Sequence, residues 1–351
     1  MIRIRKPLHF SEIGRKDNQE DYLFPTQADV NSRVFIMCDG MGGHDNGEVA
    51  SMTAANALGQ YLISCPKIDI ATFETGLAKA YDALDGIDTD SSKKPGTTMT
   101  CLCLNSDSYL VAHIGDSRIY HIRPSLYDIK SHRGGILYQS SDHSLVNDLL
   151  KAGELTEETA SNFPHKNIIT RAMQPHLAKR YRADIYMFDD IRAGDYFFLC
   201  CDGILEQLSN EGLCHILSDT TLNDEQKIAA IKNICDGNTN DNYSCWLIPI
   251  DSVSINMESN VSHIIKAGIE SDDSHVTRAA HTSKRLSYRT LCWIIGLLTL
   301  LLALCFGFII YTSFFKDNHE EEQTSPVSLT THNYTLKLLI PSTIGSPGCL
   351  F

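Results

Sequence analysis

The chain has 351 residues, 43% of them hydrophobic and 21% charged, a balance that suits one large globular domain or two modest ones. Its formal net charge of −13 at pH 7 argues against a general nucleic-acid binder, which would present a basic face. Twelve cysteines occur without a single CxxC pair, so they read as small buried hydrophobes kept reduced in a cytosol, not as a zinc or disulfide framework. The basic N-terminus, MIRIRKPLHFSEIG, has no apolar core behind it and is not expected to be a signal peptide.

In chain order, residues 33–38 (RVFIMC) form a β-rich apolar run that ends at Asp-Gly, a strand meeting a turn. Residues 48–63 have helical spacing, with Val49, Met52, Ala55, Ala57, Leu58 and Leu62 assigned to one broad apolar face. A second helix is predicted over 70–84. Three short strands follow at 99–104, 109–114 and 118–122, and their close turns imply antiparallel pairing. Asp142 is the expected N-cap of a helix through residue 150, with Gly153 closing it at C′. Strands are predicted at 181–188, 196–200 and 243–248, and helices at 211–217 and 224–235. The fold class is therefore α+β, with helices covering sheet faces.

Residues 291–315 (LCWIIGLLTLLLALCFGFIIYTSFF) carry no charge and are long enough to cross a hydrocarbon core of about 30 Å as a helix. Arg278, Lys284, Arg285 and Arg289 precede this span, and Lys316 is followed by Asp317, Glu320, Glu321 and Glu322. The positive-inside bias places the N-terminal part in the cytoplasm. The expected organisation is a globular domain over 1–251, a polar linker over 252–290, the transmembrane helix, and a short extracytoplasmic tail over 316–351.

Acidic residues recur at strand ends and in Gly-rich turns: Asp21, Asp39, Asp116, Asp202 and Asp241. Carboxylates aimed from rigid strand ends form sites for hard divalent cations, and an all-oxygen set favours Mg2+ or Mn2+ over Zn2+. The segments that carry them run in a fixed order: GRKDNQED (14–21), CDGMGGHDNGEVAS (38–51), GTTMT (96–100) and AHIGDSRIY (112–120). After these come DHSLVNDLLKAGELT (142–156), NIITRAM (167–173), LCCDGILEQLS (199–209) and NTNDNYSCWLI (238–248). The series resembles the bacterial branch of the PP2C-like metal-dependent protein phosphatases over almost all of residues 8–250.

The resemblance implies a four-layer α/β/β/α sandwich of two mainly antiparallel sheets, with a two-metal centre at one end. It implies hydrolysis of phosphoserine and phosphothreonine in proteins by a metal-activated water, with Mn2+ or Mg2+ as cofactor. Glu20 and Asp21 match the family's first acidic pair, and Asp39 looks like the carboxylate that bridges both metals. Gly40 matches the residue that adds a backbone carbonyl, Asp202 and Asp241 match the later ligands, and Asp116 matches a residue associated with a third, weaker ion. Family members place a phosphate-clasping Arg five residues before the first metal Asp. Here that position is Lys16, with Arg15 just before it, so the phosphate-binding group is one of these two. Eukaryotic relatives carry a His two residues after the bridging Asp, where this chain has Met41, with His44 nearby. A cognate membrane Ser/Thr kinase is the opposing partner the family suggests. The alternative reading is a catalytically silent membrane receptor or scaffold on the same fold, which the retained carboxylates disfavour.

Overall fold

The computed structural model describes residues 1–42, 46–87, 94–160, 163 and 168–254. Strands β1 (Ile2–Ile4), β2 (Leu8–Glu12), β3 (Asp21–Phe24) and β4 (Val34–Met41) lead into helices α1 (Asn46–Ser64) and α2 (Ile70–Asp85). Strands β5 (Gly96–Thr97), β6 (Met99–Leu104), β7 (Tyr109–Ile114), β8 (Arg118–Ile122) and β9 (Ile136–Gln139) precede α3 (Leu145–Ala152) and α4 (Glu157–Ala160). The domain closes with β10 (Asp184–Phe188), β11 (Tyr196–Cys200), α5 (Asp202–Leu205), α6 (Asn210–Ser218), α7 (Asp224–Cys235) and β12 (Tyr243–Val253).

Two antiparallel sheets result. One runs β1-β12-β11-β8-β9 with β2 also on β12, and the other runs β10-β7-β6-β4-β3 with β5 also on β4. Strand alternation explains the layering. In β4, Val34, Ile36 and Cys38 join Ala54, Leu58, Leu62, Phe73 and Leu77 of α1 and α2 in one core. Phe35 and Met37, pointing the other way, join Phe197, Leu199 and Trp246 of the facing sheet, and Leu213, Leu217 and Ile231 of α6 and α7 belong to the same cluster. The order is helices, sheet, sheet, helices, as the family resemblance implies.

Several local expectations change. Strand β8 does not pair with β7: the turn at Gly115, whose φ is +108°, carries the chain from one sheet to the other. Val49 and Met52 face solvent, while Ala50, Ala54, Ala55, Leu58 and Leu62 form the buried stripe of α1. The cap of α3 is Ser144, whose hydroxyl accepts from Asn147 N–H, because Asp142 is drawn instead into a bidentate pair with Arg118 at 2.7 and 2.6 Å. Gly153 does terminate that helix, at φ +74°. Strand β10 starts at Asp184, and β12 extends beyond the expected domain boundary to Val253.

One polar network interrupts the apolar layer between the sheets. Tyr109 of β7 lies 2.7 Å from His121 Nδ1 of β8, and His121 Nε2 lies 2.8 Å from Asp195. Arg123 donates twice to the same carboxylate, each time at 2.9 Å. Among the described residues no helix is long and apolar enough to cross a membrane. The expected span 291–315 lies outside them, as do residues 255–290, the tail and His44.

Candidate metal centre

The strands deliver the acidic residues to one end of the sandwich. Asp21 opens β3 directly opposite Asp39 near the end of β4. Asp202 follows β11 and Asp241 precedes β12, two strands that are also antiparallel partners. Asp116 sits in the turn between β7 and β8, where Arg118 pairs with Cys200 at the same end.

Local contacts hold each carboxylate in place. Thr98 Oγ1 accepts from Asp39 N–H at 3.0 Å, Thr98 N–H donates to Asp39 O at 2.8 Å, and Thr97 Oγ1 donates to the same carbonyl at 3.0 Å. Thr97 and Thr98 therefore act as a clamp on the backbone of Asp39. Asn242 ties down the loop that carries the first acidic pair. Its Oδ1 accepts from Glu20 N–H at 2.8 Å, while Nδ2 donates to Ile13 O at 2.8 Å and Asn18 O at 3.0 Å. Glycines make this closeness possible: a Cβ on Gly14 would stand 2.0 Å from Asp241 O, and one on Gly203 would stand 2.0 Å from Asn242 O. Gly40 N–H donates to Glu20 O at 3.1 Å, and Glu20's carboxyl lies against Gly47.

Electrostatically the centre is a set of like charges only partly offset, by Lys16 beside Asp241. Burial, then Asp202 and Asp241, push the Asp21 carboxyl up to about 7. Burial, then Asp21, Asp202, Asp116 and Asp241, hold Asp39 well above the carboxylate range. Burial followed by Asp241 raises Asp202 to about 6, and burial followed by Asp202 raises Asp116 to about 7. Both carboxylate oxygens of Asp21 and one of Asp116 are buried with no hydrogen-bond partner. Orphaned buried carboxylate oxygens are costly, and their convergence fits hard divalent cations bound by oxygen.

Lys16 and Arg15 separate clearly. Lys16 Nζ lies 2.9 Å from Asp241 Oδ1. Desolvation lowers its pKa, but Asp241, Glu20 and Asp39 outweigh that and leave it raised. Arg15 turns away, donating to Asn240 Oδ1 at 3.1 Å and Gly237 O at 2.8 Å. Two features of the site carry no motif of their own in the sequence: the anchoring role of Asn242, and Cys201, whose Sγ lies within 4.8 Å of carboxylate oxygens of Asp21 and Asp39.

A second cluster, His113, His143 and Asp184, also gathers donor atoms within 4.8 Å. Gly115 N–H donates to His143 Nδ1 at 3.1 Å, so the neutral ring carries its proton on Nε2, facing Asp184 Oδ2 at 3.3 Å. Arg171 Nη1 stands 3.3 Å from that same Nε2. With its lone pair already engaged and a guanidinium beside it, His143 has nothing to offer a cation. His113 is a core histidine, as expected, with Nε2 on Ser141 O at 2.9 Å.

A family model described as Protein phosphatase 2C matches residues 11–232. A putative protein phosphatase 2C-type from Streptococcus pyogenes is 31% identical over 228 residues, covering 62% of this chain and 85% of the relative. Among solved structures, the S. agalactiae serine/threonine phosphatase aligns with a TM-score of 0.57 at 27% identity, over 70% of this chain and 99% of that one. The catalytic domain of serine threonine protein phosphatase PstP, solved in complex with 2 manganese ions, aligns with a TM-score of 0.59 at 24% identity, over 72% of this chain and all of that one.

Proposed function

The chain belongs to the protein phosphatase 2C family of serine/threonine phosphatases, and on that premise we propose how its own residues carry the reaction. The substrates are phosphoserine and phosphothreonine in proteins. Two Mn2+ or Mg2+ ions would be held by Asp39, Asp202 and Asp241, with Gly40 offering a backbone carbonyl and Glu20 and Asp21 contributing directly or through water. Asp116 would serve a third, weaker ion. The observation that carries this reading is the pair of orphaned Asp21 oxygens inside a convergent carboxylate cluster. A bound metal pair supplies neutralisation of the phosphomonoester dianion and a water acidic enough to attack phosphorus near neutral pH.

The protein's part is placement. Asp39, clamped by Thr97 and Thr98, fixes one side of the centre, and Asp202, at the N-terminal end of α5, fixes the other. Lys16, at the rim of the cluster and half exposed, grips the phosphate as a point charge. Arg15 braces the turn that presents Asp241. Met41, at the position where eukaryotic relatives carry a His, closes β4 and offers no proton.

The uncharged stretch 291–315 and its asymmetric flanks support a single-pass anchor with the catalytic domain on the cytoplasmic side, where a membrane Ser/Thr kinase is the natural opponent. The test of catalysis is Mn2+-dependent hydrolysis of a phosphothreonine peptide and of p-nitrophenyl phosphate, with Asp39→Asn as control. No rate above that control removes the catalytic reading, and turnover of sugar phosphates alone removes the protein substrate. Recovery of the full chain in the soluble fraction of lysed cells would remove the anchor.

A further inference from the structure

We propose that Thr98 and Ser117 are positioning residues: their buried hydroxyl–hydroxyl bond ties the turn that carries Asp116 to the backbone of Asp39, so that the ion at Asp116 and the metal pair bind as one coupled unit. The inference rests on the metal-centre reading above and gives a task to two side chains outside the carboxylate set.

Thr98 lies between β5 and β6, beside Asp39 of β4. It meets Asp39 twice, its hydroxyl accepting from Asp39 N–H at 3.0 Å and its own N–H donating to Asp39 O at 2.8 Å. The same hydroxyl oxygen lies 2.7 Å from Ser117 Oγ, and both residues are fully buried. Ser117 belongs to the turn between β7 and β8, where the chain passes from one sheet to the other. That turn lies directly on Thr98: a Cβ on Gly115 would stand 2.6 Å from Thr98 Cγ2. His143 and Asp142 hold Gly115 and Arg118 within the same turn, and the hydroxyl pair carries the connection onward to Asp39.

Asp39 and Asp116 repel, and Asp116 is one of the charges that Asp39 feels. Like charges open a site unless the backbones beneath them are fixed. A bond between two hydroxyls in a dry interior suits this task, because separation leaves polar atoms unpaired. The β-branched Thr98 side chain has few rotamers, so its oxygen is aimed in advance. Displacement of the Asp116 turn is thereby passed to Asp39 N–H through one shared oxygen. Filling one ion site favours the arrangement that the other needs, and that coupling is reciprocal. A pair that only satisfied each other in the core would alter stability and leave ion binding alone.

The experiment titrates the full chain with Mn2+ by calorimetry after removal of metal, alongside thermal unfolding in EDTA. Asp116→Asn identifies the weakest Mn2+ step by abolishing it. Ser117→Ala should weaken that step by about tenfold or more, the usual effect of losing an outer partner at a metal site. Added to Asp116→Asn, it should change Mn2+ binding no further. Thr98→Val, nearly the same shape, should weaken the tighter steps as well, whereas Thr98→Ser, which keeps the hydroxyl, should retain them. That pair decides the matter if Ser117→Ala fails to fold. Isotherms of Ser117→Ala and Thr98→Val equal to wild type, with only Tm lowered, overturn the proposal. Thr98→Ser losing as much affinity as Thr98→Val overturns it too, as does an isotherm that Asp116→Asn leaves unchanged. No Mn2+ binding in the wild type would instead overturn the underlying centre.

Discussion

Removing the negative charge of Asp21 should stabilise the metal-free protein, although it damages the enzyme. The Asp21 carboxyl is pushed from 3.8 up to about 7, chiefly by burial and then by Asp202 and Asp241. A folded-state value above the unfolded one means that ionisation opposes folding. The penalty is absent below pH 3.8, grows through the interval, and is complete above pH 7. At about 1.4 kcal/mol per unit the ceiling is about 4 kcal/mol. Asn at the same buried position still needs hydrogen-bond partners, which returns about half of the gain. A net stabilisation of about 2 kcal/mol corresponds to roughly 4–8 °C in Tm for a domain of this size. The assay is thermal unfolding of wild type and Asp21→Asn in EDTA at pH 8 and pH 5, then in excess Mn2+. The variant should melt higher in EDTA at pH 8, and the gap should shrink at pH 5. Mn2+ at about a hundred times its Kd adds about 2.7 kcal/mol to the wild type and should reverse the order. An Asp21→Asn Tm equal to or below wild type in EDTA at pH 8 refutes the reasoning.

Lys16→Ala should raise KM for a phosphothreonine peptide by about tenfold or more, the loss of one charge-assisted contact, while Lys16→Arg retains most of it; steady-state kinetics decide, and an unchanged KM in Lys16→Ala rules Lys16 out. Asn242→Ala removes three hydrogen bonds from the loop carrying Glu20 and Asp21 and should cost about 2–4 kcal/mol in urea unfolding, with weaker Mn2+ binding by calorimetry. Burial, with His113 beside it, lowers His143 to about 4, so the folded state disfavours its protonation. Its contribution is whole above pH 6.5 and is lost as pH falls toward 4, by up to about 3 kcal/mol. Stability measured across that interval should fall less steeply in His143→Asn, which keeps an acceptor for Gly115 N–H.

Strands β6, β7, β8 and β11 and helix α7 coincide with their sequence-derived limits because each is an apolar or periodic run bounded by turn residues. β1 and β2 were not legible, being short and half-polar; they acquire strand geometry from partnership with β12, more than two hundred residues away. The cap of α3 is Ser144 in place of Asp142 for a similar reason. Asp142 and Ser144 are both competent caps, and an Arg118 contact remote in sequence decides between them. The carboxylates of the centre were readable as motifs, since strand-end Asp residues announce themselves. The difference between Arg15 and Lys16 was not, because the turn after Gly14, whose φ is +61°, decides which one faces the cluster. Cys201 read as one more buried hydrophobe. Only the approach of β3 and β4 to the end of β11 brings it beside Asp21 and Asp39.

The Tyr109, His121, Asp195 and Arg123 network lies at the opposite end of the sandwich from the carboxylates. Asp21 and Asp39 stand on one sheet while Asp202 and Asp241 flank strands of the other, so the proposed centre forms only if the two sheets are aligned along their strands. Apolar packing alone sets this register without directional bonds, through side-chain shape. A buried guanidinium and carboxylate add such bonds, and any shift strands a charge in a dry interior. The network adds little net stability, but it works as an alignment key, indexing at one end of the domain the geometry on which chemistry depends at the other. Loosening it should therefore appear first as scattered metal affinity, before any loss of fold.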